Sequence, residues 1–158
     1  MKKNIRDLVA REAARLLYFG NATEYYTAKR IAAKNLRTSI LPSNREIAIA
    51  LDELAETIEG EDRLKRLIEM REDALEIMKM LQIYSPKLIG SVWRGVITRN
   101  SDIDIEVYTG SPEDVIRCLI SKGVRDFTVE EVVKQEGDIK KTHIHIKMKT
   151  RRGYNAEI

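Results

Sequence analysis

The chain has 158 residues, 43% of them apolar and 34% charged, with a formal net charge of +3 and a single cysteine, Cys118. That length and balance describe a folded domain with its own core and exclude a disordered chain, a disulfide scaffold and a Cys-rich metal site. No apolar run approaches the ~20 residues of a membrane helix, and the opening MKKNIRDLVARE turns polar too soon for a signal peptide; the expectation is a cytoplasmic protein with no membrane partner.

The first half reads as helices. NIRDLVAREAARLLYFG places Ile5, Leu8, Val9, Ala13, Leu16 and Leu17 on one face and stops at Gly20. NATEYYTAKRIAAKNL follows with a capping-box pattern, Asn21 and Glu24, and PSNREIAIALDELAETIEG repeats it with Ser43 and Glu46 before ending at Gly60. Tyr18, Tyr25 and Tyr26 are assigned to the helical core. A longer helix is expected over 62–83, its stripe formed by Leu64, Leu67, Ile68, Leu75, Met78 and Leu81. Pro86 then disfavours helix at Ser85.

Beyond Pro86 the period changes. KLIGS and DIDIEVY have strand character, and SPEDVIRCLISKG is a helix with Ser111 as N-cap, Pro112 at the first position, acids in the first turn and Gly123 as stop. FTVEEVVKQ, KTHIHIKMK and YNAEI read as three strands joined by EGD and RRG turns. The predicted fold is α+β: a helical region over 1–85, then a mixed sheet backed by helices over 86–158.

The chemistry concentrates in LIGSVWRGVITRNSDIDIEVY. Alternation along a strand sends Ile103, Ile105 and Val107 to the core and Asp102, Asp104 and Glu106 to the opposite face. Carboxylates two residues apart stand about 7 Å apart along the strand, a spacing that grips one divalent ion or supports two. The Gly90-Ser91 break lets backbone approach a phosphate, Ser91 adds a hydroxyl, and Arg94 adds a bidentate cation. Each signal alone is ordinary, since an acid-Ile-acid-Ile strand is usually a solvated edge; their order and spacing are not.

That combination, GSVWRG followed by SDIDIEV, resembles the DNA polymerase beta-like nucleotidyltransferase superfamily, close to the minimal nucleotidyltransferases and the catalytic domain of archaeal CCA-adding enzymes. The likeness covers roughly 87–158. It implies magnesium-dependent transfer of a nucleoside monophosphate from a nucleoside triphosphate, with Gly90, Ser91 and Arg94 on the phosphates and Asp102 and Asp104 on Mg²⁺. The third carboxylate of such a site falls, by position, on Glu157, one residue before the chain ends, which implies either truncation or an unusually short last strand. The acceptor is left open among RNA, protein and small molecules. An antitoxin-type protein that modifies or binds a partner protein, and an inert binding protein with this fold, stand as alternatives. His143 and His145 share a strand face and make an incomplete zinc site, so they are read as a polar face in or beside the cleft. The basic stretch KKTHIHIKMKTRRGY is read as a solvated hairpin, with an RNA surface as its alternative. Cys118 is read as a small apolar residue.

Overall fold

A computed structural model describes residues 4–158, with the side chain of Glu136 outside the description. The first three residues of the N-terminal stretch, Met1, Lys2 and Lys3, also lie outside the described residues. The chain is α+β, and no helix among the described residues is long and apolar enough to cross a membrane. Its contacts form two compact units: residues up to Leu64 with Val96–Asn100, and Lys65–Gly95 with Ser101–Ile158. The boundary expected near Tyr84 therefore falls inside the second unit. A change of hydrophobic period marks where helix gives way to strand, and it says nothing about which side of the break a helix packs on.

The first unit holds α1 (Ile5–Tyr18), α2 (Tyr25–Asn35) and α3 (Asn44–Glu59). Its core is rich in alanine: Ala10, Ala13, Ala14, Ala28, Ala32, Ala33 and Ala55 are buried around Val9, Leu16, Ile47 and Tyr18. Small side chains let helix axes approach closely, and the larger residues fill what remains. The predicted box at α3 is present, with Ser43 and Glu46 each bonding the other's backbone, and Gly60 ends the helix at a φ of 65°. The box predicted at Asn21 is not: α2 starts at Tyr25, with Glu24 in the cap position and no side-chain cap bond. Tyr18 is buried as assigned, with its hydroxyl on Glu59, whereas Tyr26 is exposed, its hydroxyl accepting from Arg30. Arg63 is buried where it bonds Asp52 and Glu56 and donates to the Ile97 carbonyl at 2.8 Å, so one guanidinium ties the 96–100 loop to this unit.

α4 (Asp62–Met80) continues into the second unit and ends three residues before the predicted stop, where a short 3-10 turn, Gln82–Tyr84, takes over. Its stripe is rotated from the predicted one. Met70, Ala74, Ile77 and Leu81 are buried, while Leu64, Ile68 and Leu75 are more than half exposed. The helix has apolar residues on two faces, so periodicity identified the helix without deciding which face goes inward. Asp73 joins the buried side because Arg152 reaches it, with Glu72, from the turn before the last strand; Tyr154 bonds Glu69 beside them.

The sheet has five strands in the order β1 (Lys87–Ile89), β2 (Ile103–Glu106), β5 (Asn155–Glu157), β4 (Ile139–Lys149), β3 (Phe127–Glu136). Every pairing is antiparallel except β2 with β5. Between strands stand α5 (Gly90–Arg94) and α6 (Pro112–Ser121). Ser111 occupies the N-cap of α6 in extended conformation, but its side chain makes no cap bond. Val115 and Leu119 of α6 are buried, as are Ile103, Ile105, Ile146 and Ala156 from one face of the sheet. β2 stops at Glu106, leaving Val107 outside the strand and only half-buried. Cys118 is partly buried, its thiol against the Met80 carbonyl at 3.3 Å.

Candidate active site

The opposite face of the sheet gathers the acids. Ile103 and Ile105 alternate with Asp104 and Glu106, buried against half-buried, as the period of two requires. β5, the shortest chain segment in the sheet's centre, lies parallel to β2 with Asp104 directly opposite Glu157 and Ile103 opposite Ala156. Register therefore places Asp104 and Glu157 on one face, and Asp102, two residues before Asp104, on the same side. Glu157 sits inside the sheet: the backbone of its neighbour Ile158 exchanges hydrogen bonds of 2.8 and 2.9 Å with Ile146 of β4. Asp104 and Glu157, far apart in sequence, thus become neighbours because a parallel pair brings the last strand beside the first acidic one.

The Gly90-Ser91 bend closes the other side of Asp104. Ile89 of β1 pairs with Asp104, and Gly90 follows at a φ of 72°. A Cβ at position 90 would overlap Asp104 Oδ2 and stand 3.1 Å from its Cγ. Glycine is needed here twice, for the backbone angle and for the carboxylate's space. The bend opens α5, which carries half-buried Ser91 and exposed Arg94 and ends at Gly95, itself at a φ of 76°. Arg71 of α4 donates to the Val92 and Trp93 carbonyls, both at 3.1 Å, and so holds this short helix by its C-terminal end. Trp93 stays 65% exposed, so it does not pack the bend against the sheet.

Electrostatics follow from this crowding. Burial, then the charge of Glu157, then that of Asp102 push the Asp104 carboxyl up to about 6, partly opposed by Arg94. Asp102 is exposed and accepts from Asn155 Nδ2 at 3.2 Å; Asn155 Oδ1 in turn takes Lys149 at 2.9 Å. Glu157 Oε1 is bonded by the ring Nδ1 of His145. Lys147 lies directly across from Glu157, yet its ammonium is hydrogen-bonded to Glu130 at 2.7 Å. Two cavities adjoin Glu157. One, of about 530 Å³, is lined by Asp104, Glu106, His143, His145 and Ile158; the other, of about 610 Å³, by Asp102, Lys147, Lys149 and Asn155.

Asp102, Asp104 and Glu157 offer only oxygen donors, the ligand type that Mg²⁺ takes. Among the described residues no three Asp, Glu, His or Cys side chains already converge as a metal cage. Mg²⁺ needs no such cage, because it binds through one or two carboxylates and completes its shell with water and substrate phosphates. Burial raises Asp104 most, and the repulsion from Glu157 and Asp102 that adds to it is what a divalent cation would relieve, so the donor set fits that ion.

The sequence reading singled out the three acids and the bend, and register places them together. Of the two histidines, the structure puts His145 on Glu157 while His143 is exposed along the same strand. Asn155 joins them although no motif marks it. Its signal was available: it precedes Glu157 by two residues and so shares its face. No protein-family model matches the chain, and no curated protein and no solved structure matches it either.

Proposed function

We propose that the protein is a magnesium-dependent nucleotidyltransferase that moves a nucleoside monophosphate from a nucleoside triphosphate to an acceptor hydroxyl, working in a reducing cytosol. The observation that carries this reading is the position of Asp104: packed on the Gly90 bend on one side and opposite Glu157 on the other, with Asp102 two residues before it on the same face. On this reading the backbone that would receive phosphate and the carboxylates that would hold the cation are adjacent, which supports a reaction governed by positioning and charge neutralisation.

In this mechanism Ser91 and the bend hold the terminal phosphates, and Arg94 neutralises them in part. Asp102, Asp104 and Glu157 would hold Mg²⁺, which supplies charge stabilisation for the phosphoryl oxygens and the leaving pyrophosphate. Glu157 stands between two cavities and is the group placed to take the acceptor's proton. The acceptor oxygen attacks the α-phosphorus, the bond to the β,γ-pyrophosphate breaks, and the hydroxyl proton leaves to the carboxylate or to water.

The test is a titration of ATP, CTP, GTP and UTP, with Mg²⁺ and with EDTA, on wild type and on Asp102→Asn/Asp104→Asn. Metal-dependent binding of at least one triphosphate, weakened about 100-fold or more in the double variant by the loss of two charged ligands, is expected. Binding that ignores both the metal and the two substitutions would leave an α+β scaffold without this activity.

A further inference from the structure

We infer that His145 is a positioning residue for Glu157, fixing the carboxylate on which the proposed transfer depends; the inference rests on the nucleotidyltransferase reading of this site. The argument starts from strand geometry. β4 and β5 run antiparallel with Lys147 opposite Glu157, so His145, two residues along β4 on the same face, is the diagonal neighbour of the acid. An imidazole spans that diagonal, and its Nδ1–H donates to Glu157 Oε1.

The surrounding backbone makes this contact selective. Glu157 is pinned by its pairing with Asp104 on one side and by the Ile158–Ile146 bonds on the other, so only its side-chain torsions remain to be set. A glutamate has three of them, and each unset torsion spreads the carboxylate over several places. Lys147, the nearer cation by register, is hydrogen-bonded to Glu130. The imidazole is therefore the group that grips Glu157. It holds Oε1 from the β4 side and leaves Oε2 out of this bond. A histidine that orients a ligating or proton-accepting carboxylate acts as an outer partner of a metal site, and it touches no reacting atom itself.

The experiment compares wild type, His145→Ala, His145→Asn, whose amide retains a donor near the Nδ1 position, Asp102→Asn, and Glu131→Ala as an exposed control on β3, away from both cavities. Nitrogen-15 NMR of the histidine rings in wild type and in Glu157→Ala reads the hydrogen bond without any turnover. The expected result is a protonated, hydrogen-bonded Nδ1 signal for His145 that changes when Glu157 is removed. Mn²⁺ affinity by electron paramagnetic resonance should fall about 10–100-fold in His145→Ala, the range seen for outer partners of metal ligands, and recover most of the way in His145→Asn. Turnover should fall through kcat, with KM for the triphosphate little changed, while Glu131→Ala tracks wild type. Unchanged urea midpoints confirm that each variant folds. If His145→Ala matches wild type in Mn²⁺ affinity and kcat while Asp102→Asn loses both, the positioning role is overturned and the nucleotidyltransferase reading stands. If wild type binds neither Mn²⁺ nor any triphosphate, the reading of the site falls and the positioning role falls with it, even though the NMR contact persists.

Discussion

Gly90 and Asp104 occupy each other's space: the carboxylate lies where any side chain at position 90 would begin. The bend and the acid are one packed object, so neither can be altered without reaching the other.

Gly90→Ala should therefore be destabilising by about 2–3 kcal/mol, combining a left-handed backbone penalty with a steric clash. In an Asp104→Ala background the carboxylate clash disappears and only a 3.3 Å approach to the remaining Cβ is left, so the same change should cost only about 1 kcal/mol, mostly the backbone part. Urea denaturation of the four proteins measures the coupling; strictly additive costs would contradict the packing.

Asp104 also predicts a pH dependence. Its folded carboxyl is raised to about 6 from the ordinary 3.8, so its contribution to stability is fully present below about 3.8 and lost as pH rises through about 6. Asp104→Asn should accordingly stabilise the protein at pH 8 in EDTA by about 1 kcal/mol, after allowing for solvent screening of a half-buried site. The gain should vanish near pH 4. Thermal melts at the two pH values check this, and an equal gain at both would contradict it. Mg²⁺ should raise the wild-type melting temperature and leave the variant unmoved.

The Arg152–Asp73 pair anchors the turn that delivers β5. Asp73 is 1% exposed, and its Oδ2 has no hydrogen-bond partner, so Arg152 carries its compensation. Removing the cation leaves a buried charge, and Arg152→Ala should be clearly destabilising; Arg152→Ala/Asp73→Asn should recover part of that loss. Denaturant curves of both variants decide it, and a single variant within a few tenths of wild type would be the contrary outcome.

In the first unit, Ser43→Ala removes one arm of the α3 box and should destabilise by about 1 kcal/mol. Glu46, the other arm, is held at about 2, first by the Arg6 guanidinium and then by Ser43. Its folded value is depressed, so its stabilisation is present above the unfolded carboxylate range near 4.5 and lost as pH falls through about 2. Acid titration of wild type against Glu46→Gln reports that window.

Legibility differed by kind of signal. Caps and turns that act within four residues were readable, as at Ser43–Glu46, Gly60 and Pro112. Asn21 shows the limit: the residue pattern for a box is present, but the chain bends over 21–24 and the helix begins at Tyr25. The α4 stripe shows another. With apolar residues on two faces, the buried one follows from what the rest of the chain presents, here Arg152 and Tyr154 arriving from the β4–β5 turn at Asp73 and Glu69.

What the chain determined unaided is local: the alternation that turns Asp102 and Asp104 away from the core, the glycine that permits a bend at 90, and the helix and strand order. What only the tertiary structure decided is adjacency. Glu157 faces Asp104 because β5 inserts parallel to β2 instead of continuing the antiparallel order, and His145 reaches Glu157 because β4 flanks it on the other side. Residues more than fifty positions apart become neighbours through strand register. No one-dimensional period encodes that register, because the pairing is selected by the burial of Ile103, Ile105, Ala156 and Ile146 on the far face of the sheet.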